Sequence, residues 1–370
     1  MRVVVSGGGT GGHIYPALAI AEALKRQRPD VELLYIGGAS GMETRIVPEY
    51  GVPFQAVTSR KLRKVLSPGT VGALLALWKG YREAQTYIRA FGANIVVGTG
   101  GYAAAATVLA GVRSGLPTLI HEGNALPGRT NRFLARYAQK VCVTFEETIE
   151  RFPPGKAALT GLPLRQGIVA PPDVTPQAAR CRFDGFGPDA FTVLVVGGSQ
   201  GAQALNRVVL EAVPGLLDAG VQILHQTGVN NFEGVRSQAE ERQLMERAGY
   251  QPVAFLDGAQ MPLAFRAADV IVCRGGISTL SEALANGLPA VVVPLPTAYA
   301  DHQTYNAKAL VAGGAALLRP ENELTASNLN QDLRALRDDP ARRQQMAAAS
   351  RAMGRPQAAD EVAKLVLELT

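Results

Sequence analysis

The chain has 370 residues, 47% of them hydrophobic and 18% charged, a balance typical of a globular α/β protein with two domains of ordinary size. Residues 1–163 contain 19 Lys and Arg against 10 Asp and Glu, so the excess positive charge lies in the first half. This favours an anionic partner, either a phosphorylated substrate or an acidic membrane surface. No basic stripe is interleaved with aromatic residues, which disfavours nucleic acid.

Cysteine use and apolar tracts indicate the compartment. Cys142, Cys181 and Cys273 form no CxxC pair and lie in or near apolar runs, which predicts buried, reduced thiols in a reducing cytoplasm. The first predicted strand follows Met1 directly, so we expect no signal peptide. The longest apolar tract, 102–112, is too short to span a bilayer. We therefore expect a soluble or peripheral protein.

A glycine-rich segment, Gly7–His13, follows the β-branched run at 2–6 and precedes a helical pattern at 14–24. The first amides of such a helix point toward a ligand, and glycines let that ligand approach the backbone closely. Further strands of the first half are predicted at 31–37, 94–98, 116–121 and 140–145. Helical patterns such as Thr70–Arg89 separate them, which predicts a parallel sheet with helices on both faces.

A Pro- and Gly-rich stretch at 159–172 predicts a domain boundary, beyond which the same pattern begins again. The strand Phe191–Val196 leads into a glycine turn at 197–202 and the helix Ala204–Leu217. Later strands are predicted at 221–226, 253–256, 269–273 and 289–294.

We therefore predict an α/β fold of two Rossmann-like domains that face each other across a deep cleft. The first domain spans 1–163 and is completed by an amphipathic C-terminal helix within 355–370, and the second spans 164–354. Open parallel sheets bind ligands beyond the carboxyl ends of their strands. Two such domains suit an enzyme that joins two substrates.

The first glycine turn matches GxGxxG through Gly7, Gly9 and Gly12, which raises the possibility of a dinucleotide site. That site needs an acidic residue at the end of the second strand, where this chain has Gly37-Gly38, and a P-loop would need Lys followed by Ser or Thr. Both sites are disfavoured. His13 is either a polar cap residue or a general base, because a helix amino terminus keeps the imidazole neutral.

The glycine turn of the second half matches GxSxG, the nucleophile elbow of α/β-hydrolases, with Ser199 as nucleophile. Asp269 or Asp301 with His302 would complete a triad. The same sequence also serves as a phosphate-binding turn, and a hydrolase would leave the first domain without a role. A hydrolase using Ser199 is the alternative from a different class.

The segment 274–282 follows a predicted strand and has two interpretations. Ser278 or Thr279 can cap the helix, with Glu282 completing a capping box, or the helix start can hold a diphosphate while Glu282 accepts hydrogen bonds from a ribose diol. Farther along, Asp-His-Gln favours Gln303 as a hydrogen-bonding group for a sugar. The chain has four histidines and no Asp-x-Asp motif, so we expect no metal site.

A mixed basic and apolar stretch lies at 60–82. Its helical part contains Leu75, Trp78, Lys79, Tyr81 and Arg82. This part is either a core-facing helix with a solvated basic face or a membrane patch, whose apolar groups dip between lipid headgroups while its cations hold anionic lipid.

Seven motifs spread over nearly the whole chain carry a resemblance to a known family. They are GGTGGHIYPALA at 8–19, VGTGGY at 97–102, HEGN at 121–124, GLPLR at 161–165, GGSQGA at 197–202, CRGGISTLSE at 273–282 and DHQTYNA at 301–307. In kind and order they resemble the MurG-type family of peptidoglycan N-acetylglucosaminyltransferases. One glycine loop would be weak evidence, whereas seven ordered matches across two domains are specific.

The resemblance implies a GT-B fold and an inverting, metal-independent glycosyltransferase. It would transfer GlcNAc from UDP-GlcNAc to the C4 hydroxyl of MurNAc in undecaprenyl-pyrophosphoryl-MurNAc-pentapeptide, the last cytoplasmic step of peptidoglycan precursor synthesis. The first domain would bind this lipid at the cytoplasmic face of the inner membrane, and the second would bind UDP-GlcNAc, a substrate rather than a cofactor. Anionic lipid and other cell-wall synthesis proteins are the further partners implied.

The resemblance also implies roles for individual residues, with His13 as the catalytic base. Donor binding would involve Thr10, Gly11, Gly12, Asn124, Arg165, Ser199, Leu256, Ile277, Ser278, Thr279, Glu282 and Gln303. Acceptor binding would involve Gly9, Gly100, Gly101, Tyr102 and Glu122.

Departures from the family pattern concern the acceptor more than the donor. Gly123 stands where the family has Gln, Leu162 where it has Asn, and Gly275-Gly276 where it has Ser-Gly. The loop at 98–106 lacks the usual Ser-Gly-Pro. A GT-B transferase acting on another lipid acceptor, such as a diacylglycerol, is therefore the nearer alternative.

Overall fold

A computed structural model describes residues 1–60, 68–198 and 201–370. The chain divides into an amino-terminal unit, residues 1–165 with 356–370, and a carboxyl-terminal unit, residues 166–355. Each unit contains one fully parallel sheet with helices packed on it. The prediction of two Rossmann-like α/β domains is confirmed.

The amino-terminal sheet has seven strands, β1 (Arg2–Ser6), β2 (Glu32–Gly38), β3 (Phe54–Val57), β4 (Ile95–Gly98), β5 (Thr118–Glu122), β6 (Lys140–Val143) and β7 (Ala157–Leu159). Their order in the sheet is β3-β2-β1-β4-β5-β6-β7. The strand order therefore reverses between β1 and β4, and open parallel sheets bind ligands at such a switch point. Both strands end in glycine-rich loops there.

The helices of this unit are α1 (Gly11–Gln27), α2 (Glu43–Glu49), α3 (Pro68–Phe91), α4 (Tyr102–Arg113), α5 (Arg129–Leu134) and, at the end of the chain, α14 (Ala358–Glu368). The C-terminal helix packs on α1, where Arg26 and Asp360 form an ion pair of 2.8 Å. Its apolar residues Val362 and Val366 are fully buried in the same core cluster as α1. The last segment of the chain thus completes the amino-terminal unit.

The carboxyl-terminal sheet has six strands, β8 (Phe191–Val196), β9 (Val221–Gln226), β10 (Tyr250–Val253), β11 (Val270–Cys273), β12 (Ala290–Val292) and β13 (Ala316–Leu318). Their order is β10-β9-β8-β11-β12-β13, so the switch point lies between β8 and β11. The helices are α6 (Pro176–Arg180), α7 (Gln203–Asp218), α8 (Phe232–Glu241), α9 (Gln260–Ala267), α10 (Ile277–Ala285), α11 (His302–Ala312), α12 (Ala326–Asp338) and α13 (Pro340–Met353).

Central strands form where the sequence is continuously apolar and β-branched, because both faces of a parallel sheet are covered. Val3, Val4 and Val5 of β1 are fully buried, with Val4 in the core cluster on the opposite face from its neighbours. This alternation follows from the two-residue period of a strand. The loops that follow β1, β4, β8 and β11 are thereby held at the carboxyl edges of rigid sheets.

One predicted strand is wrong in position. Only Val253 of the predicted span 253–256 belongs to the strand; β10 begins three residues earlier and places Tyr250 opposite Ile223 of β9. Pro252 resembles a strand breaker in the sequence, but β10 is an edge strand, where a residue without an N–H is tolerated. The short edge strands β3, β7 and β13 are absent from the prediction, because three or four residues show too little periodicity.

None of the helices within the described residues is long and apolar enough to cross a membrane. Cys142 and Cys273 lie in strands and are buried, whereas Cys181, just after α6, is exposed, so the prediction of a buried thiol is wrong there.

Candidate functional site

The loop after β1 is held from behind by three hydrogen bonds. The Tyr35 hydroxyl donates to the Gly7 carbonyl at 2.8 Å, the Gly8 N–H donates to the Gly100 carbonyl at 3.2 Å, and the Gly9 N–H donates to a Glu43 carboxylate oxygen at 3.2 Å. Burial, and secondarily the nearby Glu43 carboxylate, raises the pKa of Tyr35, so its hydroxyl remains a donor. Because the Gly9 N–H is bonded to Glu43, a contact from Gly9 to the acceptor would not use this N–H. The acceptor contact at Gly9 stays a prediction.

Glu43 is a site residue that the sequence analysis missed. Its carboxylate is buried and accepts a second hydrogen bond, from the Gly38 N–H at 2.9 Å. It thus lies at the end of β2, where a dinucleotide site has its acidic residue, but both oxygens face backbone amides and none is turned toward a ribose. The signal that could have identified Glu43 in the sequence is a carboxylate five residues after the end of a strand.

His13 lies in the first turn of α1, whose N-cap is Thr10, so its interpretation as a cap residue is wrong. Its Nδ1 atom lies 2.9 Å from the Thr99 carbonyl oxygen, and the Thr99 hydroxyl donates to the His13 carbonyl at 2.6 Å. Because a carbonyl oxygen can only accept, Nδ1 must carry the proton. In the uncharged form of the ring the lone pair is then on Nε2, which is the tautomer that a general base requires.

The loop after β4 packs against the first loop through two glycines with left-handed φ. A Cβ atom on Gly100 (φ +113) would lie 2.7 Å from the His13 ring, and one on Gly101 (φ +88) would lie 2.4 Å from the Gly8 carbonyl oxygen. Only glycine fits at either position. The structure therefore brings the predicted residues Gly100, Gly101 and Tyr102, the first residue of α4, beside the loop that carries His13.

Glu122, at the end of β5, is buried and shapes the loop that follows it. Its carboxylate accepts hydrogen bonds from the Asn124 N–H at 2.9 Å, the Asn124 side-chain amide at 3.2 Å, the Gly128 N–H at 3.0 Å and the Asn131 amide at 2.9 Å. The structure thus gives Glu122 an internal role, and through it fixes the half-buried Asn124. The acceptor contact assigned to Glu122 stays a prediction.

Arg165 belongs to the amino-terminal unit rather than to the domain predicted to begin at 164. Its guanidinium carbon lies 5.5 Å from the centre of the Tyr15 ring on α1, a cation–π distance. On the same helix, burial raises the pKa of Glu22, and the charges of Arg26 and Arg165 lower it in part. Arg165 therefore adds positive charge next to α1 at Tyr15, which follows His13 by two residues.

In the carboxyl-terminal unit the glycine turn between β8 and α7 has two glycines with left-handed φ, Gly198 (+89) and Gly201 (+77). Ser199 lies outside the described residues, so its predicted diphosphate contact and its alternative role as a nucleophile both stay predictions. The Gly201 N–H donates to the Gly198 carbonyl at 3.0 Å, which closes the turn just before α7 begins.

The capping box predicted at the start of α10 is wrong. The N-cap is Gly276, which has no side chain, and Ser278 and Thr279 lie within the first turn. A Cβ atom on Gly275 would lie 2.4 Å from the Gln303 carbonyl oxygen, so only glycine fits just before the N-cap. The first amides of α10 are thus a potential anion site, with Ile277 nearly buried and Glu282 half-buried one turn farther on.

Two further predicted donor residues have defined surroundings. The Gln303 side-chain oxygen accepts a hydrogen bond from the Leu295 N–H at 2.9 Å. Gln303 lies two residues after Asp301, which like Ala300 has a left-handed φ (57° and 50°). The Leu256 side chain is buried, and its N–H donates to the Gln226 side chain at 2.9 Å. The uracil contact assigned to Leu256 stays a prediction.

On α3, Leu75 and Trp78 are more than 60% exposed, so a core-facing role for them is wrong. The Arg82 guanidinium lies 6.0 Å from the Trp78 ring, Lys79 is exposed, and the half-buried Tyr81 packs against the core. Most of the basic run before this helix, 61–67, lies outside the described residues. Within the part of the chain that the structure describes, no group of three His, Cys, Asp or Glu side chains could hold a metal ion.

Comparison with protein families identifies both units. The model of the glycosyltransferase family 28 N-terminal domain matches residues 3–143, and that of the family 28 C-terminal domain matches residues 192–362. These ranges contain the four glycine-rich loops described above, two in each unit.

Full-length relatives agree with the family models. The UDP-N-acetylglucosamine–N-acetylmuramyl-(pentapeptide) pyrophosphoryl-undecaprenol N-acetylglucosamine transferase of Desulforudis audaxviator is 42% identical, with 100% of this chain and 98% of that protein covered. The protein of the same name from an Exiguobacterium species is 40% identical over 100% and 99%. The crystal structure of Acinetobacter baumannii MurG is 31% identical, with a TM-score of 0.79 and 99% of each chain covered. The chain belongs to glycosyltransferase family 28 and, within it, to the family of these N-acetylglucosamine transferases.

Proposed function

We propose that this chain transfers GlcNAc from UDP-GlcNAc to the C4 hydroxyl of MurNAc in undecaprenyl-pyrophosphoryl-MurNAc-pentapeptide. The full-length relatives carry the name of this reaction. The structural observation that supports it best is the position of His13, whose Nδ1 donates to the Thr99 carbonyl at a glycine-rich switch point of a parallel sheet, which leaves Nε2 to act as the base.

In the proposed reaction His13 Nε2 accepts the proton of the C4 hydroxyl as that oxygen attacks the anomeric carbon of GlcNAc. A bond forms between the hydroxyl oxygen and the anomeric carbon, the bond from that carbon to the phosphate oxygen breaks, and UDP leaves with the electron pair. A single displacement inverts the anomeric carbon. The Thr99 carbonyl, 2.9 Å from Nδ1, stabilises the imidazolium that forms.

The carboxyl-terminal unit is proposed to bind the donor. The amides at the start of α10, which include those of Ile277, Ser278 and Thr279, and the turn that contains Ser199 would hold the diphosphate. Charge on the departing UDP would then be stabilised by backbone dipoles, without a metal. Glu282 would accept hydrogen bonds from the ribose diol, Leu256 would lie near the uracil, and Gln303 would orient the sugar.

The amino-terminal unit is proposed to bind the acceptor, with its diphosphate at the loops of Gly9 and of Gly100–Tyr102. Contacts from this unit to the donor, assigned above to Thr10–Gly12, Asn124 and Arg165, are part of the same proposal. The exposed Leu75, Trp78, Lys79 and Arg82 would contact anionic lipid, which places the enzyme peripherally at the cytoplasmic face of the cell membrane.

The test is UDP release by the purified chain with UDP-GlcNAc and either a MurNAc-pentapeptide pyrophosphoryl lipid or a diacylglycerol, with and without EDTA. We expect release only with the MurNAc lipid, unchanged by EDTA. Glu282→Ala should raise the KM for UDP-GlcNAc about tenfold, and much less for the 2′-deoxyribose donor, which has lost one of the two hydroxyls. Turnover of diacylglycerol alone, or covalent labelling of Ser199 by a serine-directed phosphonate, would reject the proposal.

A further inference from the structure

A chain of buried polar side chains lies next to the glycine turn of the carboxyl-terminal unit. The Tyr250 hydroxyl is 3.2 Å from His225 Nδ1, and His225 Nε2 is 3.1 Å from the Asn206 side-chain oxygen. The Asn206 amide nitrogen donates in turn to the Thr227 carbonyl at 2.9 Å. All four residues are at most 5% exposed, and none belongs to the site predicted from the sequence.

The direction of every hydrogen bond between these side chains follows from one group, the Thr227 carbonyl. The Thr227 carbonyl can only accept, so the Asn206 NH₂ must face it, and the Asn206 oxygen must face His225. His225 therefore carries its proton on Nε2, and its Nδ1 accepts from the Tyr250 hydroxyl. Burial lowers the pKa of His225 to about 3, so the ring is neutral near pH 7. These hydrogen-bonded side chains therefore fix positions and carry no charge.

This series of hydrogen bonds ends at the backbone next to the glycine turn. Asn206 lies in the first turn of α7, and its N–H donates to the Ala202 carbonyl at 2.8 Å. A Cβ atom on Gly201 would lie 2.5 Å from the Thr227 carbonyl oxygen, so Gly201 packs directly on the atom that Asn206 holds. The Asn231 amide approaches the same oxygen at 3.4 Å. The Thr227 carbonyl is thus the point where β9, α7 and the turn meet.

We propose that Asn206 and His225 are positioning residues for the donor diphosphate: through the Thr227 carbonyl they fix the start of α7 and Gly201 in the arrangement that accepts it. The inference rests on the proposed function, because it takes the diphosphate to be held at this turn. Neither residue touches the ligand. Without Asn206, the Thr227 carbonyl and the His225 N–H would both lose a buried partner, and the turn would lose its support.

The same strand offers a matched control for a merely structural role. Gln222, near the opposite end of β9, is 3% exposed, and its amide bonds the Gly187 backbone and the Thr192 hydroxyl. Gln222→Leu therefore removes a buried amide from the same sheet without touching the glycine turn. Asn206→Leu removes a buried amide next to the glycine turn.

The experiment measures UDP affinity by calorimetry, together with the KM for UDP-GlcNAc, the KM for the lipid acceptor and the thermal midpoint. We expect Asn206→Leu to weaken UDP binding and raise the donor KM about tenfold, with the acceptor KM unchanged. Gln222→Leu should lower the thermal midpoint comparably and leave UDP affinity within about twofold. Equal UDP affinity in the two variants, or a change confined to the acceptor KM, would overturn the inference.

A second pair covers the case in which Asn206→Leu does not fold. His225→Leu should weaken UDP binding, and His225→Gln should restore most of it, because a Gln NH₂ can donate to Asn206 as Nε2 does. Failure of Gln to do better than Leu would also count against the inference. If the unmodified chain binds UDP and transfers GlcNAc while these variants match it, only this inference fails; if it binds no UDP, the proposed function fails first.

Discussion

The Nδ1 atom of His13 donates to the carbonyl oxygen of Thr99 across 2.9 Å, joining the loop after β1 to the loop after β4. The two strands are neighbours in the sheet, with Ser6 opposite Gly98, so the loops leave the sheet side by side. This single contact fixes the ring plane and the tautomer together. A base whose proton lies on Nδ1 is ready to accept another on Nε2.

His13→Ala removes the proposed base. We expect kcat to fall by about 10²–10⁴, because a positioned general base contributes about that factor. The affinity for UDP should be retained, since UDP is assigned to the other unit. Initial rates at saturating donor, with calorimetry for UDP, check this; a parallel loss of UDP binding would make His13 a structural residue.

Gly100→Ala tests the packing behind the ring. The added methyl group would lie 2.7 Å from the His13 ring, so the ring must move and kcat should fall at least tenfold. Gly115→Ala is the control, because its φ of +73 is also left-handed but a Cβ there meets nothing within 4 Å. Gly115→Ala should lose about 1 kcal/mol of stability from backbone strain alone, and Gly100→Ala should lose at least as much. Equal activities of the two variants would show that the ring tolerates displacement.

Glu43→Gln tests the carboxylate behind the first glycine loop. A Gln side chain can accept from only one of the two amides of Gly9 and Gly38, and its NH₂ would face the other donor. We expect a loss of about 1–3 kcal/mol in the free energy of unfolding and a raised KM for the lipid acceptor. Glu49→Gln, on the exposed face of the same helix, should change neither value. An acceptor KM unchanged in Glu43→Gln would remove this loop from acceptor binding.

Acid should destabilise the chain below about pH 6.5, the ordinary pKa of histidine. Burial lowers the pKa of His121 to about 4 and of His225 to about 3, so between these values and 6.5 the unfolded chain binds more protons than the folded one. The stability that depends on neutral His121 and His225 is therefore fully present above pH 6.5, and it falls as the pH is lowered. Urea unfolding at several pH values measures the slope, which should be reduced in His225→Gln by up to about 1.4 kcal/mol per pH unit. An unchanged slope would contradict the assigned burial.

Trp78→Ser combined with Lys79→Glu should reduce binding to vesicles that contain anionic phospholipid, because it removes an apolar anchor and reverses a charge. Arg89→Glu, a charge reversal near the end of the same helix, is the control and should have a smaller effect. Cosedimentation with anionic and with neutral vesicles checks both variants. Unchanged partitioning of the double variant would place membrane contact elsewhere on the chain.

Sequence alone predicts the features that depend on neighbouring residues. The central strands are visible because they are apolar on both faces, and the glycine turns are visible because each follows such a strand. The loops of His13 and Gly100 could be expected to meet, since their strands end at one edge of one sheet. The family motifs then predict donor-binding residues on α10 and α11.

The features that sequence did not predict depend on residues far apart in the chain. The pattern Thr279 to Glu282 satisfies a capping box locally, but the helix begins at Ile277, where Gly275 packs against Gln303 from a distant part of the chain. The polar chain that begins at Tyr250 depends on which strands become neighbours. Glu43 reaches its amides only because the chain folds back after β2.

The configuration of the product tests the account most directly. UDP-GlcNAc is an α-glycoside, so a single displacement assisted by His13 must give β-linked GlcNAc on the C4 oxygen of MurNAc. NMR of the product formed from a short-chain MurNAc-pyrophosphoryl lipid reads both the linkage and the position. A β-linkage at C4, formed in the unmodified chain and about 10²–10⁴ times more slowly in His13→Ala, is the predicted result. An α-linkage, or GlcNAc released to water, would contradict it.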